Sequence, residues 1–186
     1  MELQHIVCKV FVDGEFPVEQ VRVINTFHDW IREEWLPELL VDVADYRHVP
    51  EGPGVMLIGH EADYNLDYTD GRCGLRYVRK AGLEGSNEDK VRQAYRAAVT
   101  ACTRLENEFK DAGLRFSRTS FELQVNDRAI APNTPETERE FRPIVEQFVG
   151  GMTGGNGFSL TAPEDRRRLC GYVVECEQPV EWETPG

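Results

Sequence analysis

Apolar and polar residues alternate from the first positions of the chain. Over 4–12, Ile6, Cys8, Val10 and Val12 take one parity, and His5, Val7, Lys9 and Phe11 the other. Both parities are partly apolar, which predicts a central strand covered on both faces. Asp13-Gly14 closes it with turn chemistry. The period then changes. Val23, Ile24, Phe27, Ile31 and Trp35 recur at spacings of three and four, which puts them on one face of a helix over 18–36. Pro17 precedes that helix. Pro37, whose ring clashes with the preceding turn, is expected to end it.

Three strand-like runs follow, at 39–49, 55–66 and 72–80. They are separated by the Pro/Gly-rich segment 50–54 and by Asp67–Gly71. Short turns of this kind join antiparallel neighbours, so the runs predict a three-stranded meander. The clearest helix spans 87–112. Ser86 and Asp89 have the spacing of a capping box. Val91, Ala94, Tyr95, Ala98, Ala101, Cys102, Leu105 and Phe109 form its apolar stripe. Gly113 stands where a left-handed cap belongs. The alanines imply a close approach to the sheet.

In the next strand, 114–126, the apolar parity switches between Phe116 and Phe121, which predicts a β-bulge near 118–120. A third helix starts at Pro135, capped by Asn133 or Thr134, and runs to about Val149, kinked or broken at Pro143. Gly150–Gly157 reads as a flexible loop. It has no phosphate-loop spacing, and it follows a helix where that motif needs a strand. Two weak strands, 158–161 and 170–176, close the domain.

The resulting order is β-α-β-β-β-α-β-α-β-β. It predicts an α+β fold, an antiparallel sheet with its helices packed mainly on one face. Dropping one meander strand leaves β-α-β-β-α-β, a ferredoxin-like core with a C-terminal α-β-β extension. Residues 1–176 then form a single domain and 177–186 a loose acidic tail. The second sheet face needs cover, which the third helix, the last strands or a second protomer of a homodimer could supply.

Charge narrows the partners. The net charge of −12 argues against nucleic acid and anionic membranes, both of which select Lys and Arg. It is unevenly spread: −11 over 1–70, +4 over 71–128 and −5 over 129–186. An acidic first third beside a basic middle suits pairing between neighbouring strands. No apolar run approaches the roughly 18 residues of a membrane span, and the first residues read as a strand and not as a signal peptide. The expected location is therefore cytoplasmic. Five scattered cysteines without a C-x-x-C read as reduced thiols. No motif calls for a cofactor or a metal.

Candidate chemistry concentrates in the meander. All four histidines lie in the first third. If 55–66 is one strand, His60 falls in an apolar row with Met56, Ile58, Ala62 and Tyr64. There it is either a core imidazole bonded to a carbonyl or tyrosine, or a base facing a pocket. Asp45 and His48 lie in or beside the preceding strand. With hairpins centred near 51–52 and 70, Val43 pairs near His60, Asp63 falls opposite Tyr77 and Glu61 opposite Arg79, with Arg76 diagonal to the acids. Such acid–arginine pairs either decorate a solvated face or form a polar pocket in which Arg76 or Arg79 grips an anion. The residues name no reaction. They support a binding domain that uses a sheet face, with His60, Glu61, Asp63, Arg76, Arg79, His48 and Asp45, for a small anionic molecule or a protein partner. The alternative is a small-molecule enzyme with a His/carboxylate/Arg pocket, which a metal ion could assist.

Overall fold

β1 (Ile6–Val12) is buried at every residue, as its two apolar parities require. In the computed structural model, which describes residues 1–182, it lies between β5 (Gly74–Arg79) and β6 (Phe116–Val125), antiparallel to both. β2 (Leu40–Tyr46), β3 (Gly54–Gly59) and β4 (Ala62–Asp67) extend the sheet on one side. β8 (Cys170–Cys176) and β7 (Phe158–Thr161) extend it on the other. The order is β2-β3-β4-β5-β1-β6-β8-β7, eight strands, each pair antiparallel. The register of β1 on β6 shifts between Val10 and Val12, opposite Phe121 and Phe116, where the parity switch placed a bulge.

The meander has four strands, not three. The run 55–66 reverses at Gly59–Ala62. The backbone is so tight there that a Cβ on Gly59 would lie 2.5 Å from the Ala62 carbonyl oxygen. His60 and Glu61 occupy the turn and carry no turn signature, so the alternation of side chains hid it. The sheet accordingly has one strand more than expected, eight instead of seven.

Among the described residues, three α-helices cover one face. α1 (Gln20–Arg32) buries Val23, Phe27 and Trp30 against β2 and β3. It stops before Pro37. Glu34 takes the left-handed φ of 49°, and the N–H groups of Glu34 and Trp35 turn back to the carbonyls of Ile31 and Trp30. A glutamate fills the place that glycine usually marks, which is why the proline drew the boundary in the sequence. α2 (Asn87–Glu108) has the Ser86–Asp89 capping box. It lays Ala94, Ala98 and Ala101, all fully buried, on β1 and β5. Gly113 has φ 72°. α3 (Pro135–Thr153) packs on α2 and β8. It runs on through Pro143 and through Gly150-Gly151 to a left-handed Gly154, so half of the expected glycine loop is helix. Burial of Phe148, Val149 and Thr153 holds the last turn where propensity alone would release it.

One continuous apolar cluster runs from Leu3 to Val180. The acidic end is docked as far as it is described. The Val180 N–H donates to the Arg118 carbonyl at 2.8 Å, and the Trp182 ring lies 3.2 Å from the Arg118 guanidinium. Residues 183–186 of the tail lie outside the described residues. Among the described residues, no helix is long and apolar enough to cross a membrane.

Candidate functional site

The face of the sheet away from the helices carries a row of polar side chains where an apolar one would be ordinary. Strand register sets Asn65 opposite Arg76, Arg76 opposite Lys9, and Lys9 opposite Glu122. Residues facing each other across adjacent strands share a face, so these four side chains stand side by side.

Lys9 is 2% exposed. Its ammonium donates to Asp67 Oδ2 at 2.6 Å and to the Thr69 carbonyl at 3.2 Å. Gly74 makes this reach possible: a Cβ there would stand 3.0 Å from Lys9 Cε. Asp67 is 3% exposed, and its other oxygen accepts from the Thr69 hydroxyl at 2.8 Å. The buried pair is thus hydrogen-bonded on both sides, the condition under which charge can be taken from water. Glu122 accepts from Gln124 Nε2 at 2.8 Å. Burial pushes its carboxyl above the ordinary range. Lys9 and Arg76 pull it down, but do not cancel that effect.

Two loops complete the site. In the segment after β6, Asp127 Oδ1 accepts the N–H groups of Ala129 and Ile130, both at 3.1 Å, and this turn fixes the backbone of Arg128. In the segment between β7 and β8, Arg168 forms a two-pronged pair with Asp70, and Arg167 one with Asp165. Together they enclose a cavity of about 240 Å³. Lys9, Arg76, Arg128, Arg167 and Arg168 line it against Asp67, Asp70 and Glu122, an excess of two positive charges at neutral pH. Lys9, Arg167 and Arg168 are paired. The guanidiniums of Arg76 and Arg128 make no hydrogen bond or ion pair among the described residues.

The seven residues singled out in the sequence fall in different places. Arg76 lines this cavity. Asp63 shares its face but is engaged elsewhere, with Lys80 Nζ at 2.7 Å and the Gly59 N–H at 3.3 Å. It lies opposite Val78, not Tyr77, a slip of one residue. Glu61 and Arg79 do pair, at 3.0 Å, but on the helix-bearing side. Arg76 and Arg79 are an odd number of residues apart on one strand, so they cannot share a face, and the expected single surface does not form. His60 is exposed in the β3–β4 turn and joins no apolar row. Val43 pairs with Leu57, so it does not meet His60 either. His48 and Asp45 are exposed at the β2 edge, three strands from Arg76. Asp45 is held by Arg47 at 2.6 and 2.8 Å, which pulls its carboxyl down to about 2. No group of three or more His, Cys, Asp or Glu among the described residues could hold a metal ion.

Lys9, Asp67, Glu122, Arg128 and Arg168 were not singled out. One signal was visible: a lysine in the middle of IVCKVFV, a strand otherwise apolar on both parities. No family model matches the chain, and no curated protein matches it. The geometry therefore carries the functional argument alone.

Proposed function

We propose that the protein is a binding domain for a small anionic molecule, held on the helix-free sheet face between Arg76 and Arg128. The observation that carries this reading is the pair of guanidiniums without partners in a cavity whose other cations are paired. Arg76 is half-buried and Arg128 exposed, so both guanidiniums are open to a ligand, and the planar fork of each matches a carboxylate, sulfate or phosphate two bonds at a time. The volume suits a compact anion. Lys9 and Asp67 form a rigid base under it, because neither can move without leaving the other buried and unpaired. We read the scaffold as a ferredoxin-like core widened by the β3–β4 hairpin, since removing those two strands leaves β-α-β-β-α-β around β1.

An enzyme acting on that anion is the second reading. It rests on Glu122, a half-buried carboxyl with a raised affinity for its proton, which stands in the same cavity.

Native mass spectrometry in the presence of inorganic phosphate tests the binding reading. Wild type should retain one anion and Arg76→Ala should lose it. Arg76→Lys should already weaken retention, because an ammonium cannot reproduce the fork. Equal retention by wild type and both variants would refute the reading and leave Arg76 as surface charge.

A further inference from the structure

We infer that the cleft between α1 and α2 is a second binding site, one that takes an uncharged small molecule with an apolar body. The extra hairpin creates the cleft. α1 sits on β2 and β3 and α2 on β1 and β5, so β4 lies in the gap between them. The gap measures about 750 Å³, within the roughly 300–1,000 Å³ of small-molecule sites. Leu36, Pro37, Tyr64 and Ala97 give it apolar walls.

Its charges decide the ligand class. Six ionisable side chains line the cleft, three acids and three arginines, and each is engaged, although Glu38 Oε2 is buried without a hydrogen-bond partner. Glu38 accepts from the Tyr64 hydroxyl at 2.7 Å. Glu61 pairs with Arg79, and Arg92 pairs with Glu88. Asp89 is tied into the helix cap by Ser86, and Arg96 is engaged as well. Gln93 is engaged too, with its Nε2 donating to the Tyr77 hydroxyl at 3.0 Å. An anion entering here would lose water and find every arginine engaged, a cost that an uncharged molecule avoids while it can still donate to the buried Glu38 Oε2. The opposite holds on the helix-free face, where two guanidiniums stand open. The two sites therefore select different ligands, and this one does not depend on the anion reading.

Fluorescence titration with 1-aminoanthracene, uncharged at neutral pH, tests the proposal. Its anionic counterpart is anilinonaphthalene sulfonate. Wild type should bind the uncharged dye saturably, one per chain, and more tightly than the anionic dye. Ala97→Trp and Thr100→Trp each place an indole in the cleft from the half-buried side of α2 and should each weaken binding tenfold or more. Circular dichroism confirms which variants are folded, and either folded variant suffices. Arg76→Ala should bind the dye as wild type does, which separates this site from the anion site. Wild-type affinity in a folded tryptophan variant, tighter binding of the anionic dye, or no saturable binding would each overturn the proposal.

Discussion

Replacing Lys9 by Met keeps an unbranched stem and removes only the charge. The ammonium stands 2.6 Å from Asp67, with side-chain exposures of 2% and 4%, so solvent screening is slight. At an effective dielectric near 20, that separation corresponds to a gross attraction of about 6 kcal/mol, offset by the cost of drying both ions. Removing one partner leaves Asp67 buried with only Thr69 to satisfy it, and takes from Glu122 one of its nearest positive charges. Breaking a buried pair in this way costs roughly 3–5 kcal/mol, or about 6–20 °C in Tm for a chain of this size. Urea unfolding at neutral pH measures the loss directly. Lys9→Met/Asp67→Asn, which removes the stranded charge, should recover more than half of it. A loss below about 1 kcal/mol, the size of an exposed pair, would refute the reasoning. So would a double variant as unstable as the single one.

Ala98 is fully buried under α2, so Ala98→Phe should overpack the helix–sheet contact and cost roughly 1–3 kcal/mol by urea unfolding, whereas an unchanged midpoint would mean that the helix can shift to admit the ring. All five cysteines are free thiols, and burial pushes even the more open Cys73 up to about 11. Ellman's reagent at pH 8 should therefore find no fast-reacting thiol in the native protein and five after unfolding. Glu122 adds a negative charge beside the bound anion only when ionised, and its raised pKa places that step above the reference value of 4.5. Sulfate, which does not titrate in this range, should bind more tightly as pH falls through that step, and Glu122→Gln should flatten the profile. The same raised pKa fixes the sign for stability. The cost of the charged form is absent in acid and appears as pH rises, so Glu122→Gln should be no less stable than wild type at neutral pH, with any gain vanishing in acid.

Local chemistry was legible wherever one segment contained its whole cause. The double parity of β1, the Ser86–Asp89 box, Gly113 and the switch between Phe116 and Phe121 each act within a few residues, and each is where the pattern put it. Boundaries set by exceptions were not. The β3–β4 turn uses His60-Glu61, and the end of α1 uses Glu34 in a conformation glycine usually takes. α3 passes through Pro143 and two glycines because tertiary burial outweighs propensity. The site was legible at Arg76 alone. Its other members come from β1, β4, β6 and three connecting segments, and strand register brings them together. Alternation along β5 already puts Arg76 and Arg79 on opposite faces, but only the register with β1, β4 and β6 shows which of those faces carries the cavity.

Isothermal titration of inorganic phosphate into wild type and into Arg76→Ala/Arg128→Ala puts the anion site to the most direct test. Neither arginine has a partner among the described residues, so the double variant should keep the wild-type urea midpoint within about 1 kcal/mol. Wild type should saturate at one phosphate per chain, and the folded double variant should bind at least tenfold more weakly. Equal affinity in the two proteins, or no saturable binding to wild type, would contradict the assignment of this face as an anion site.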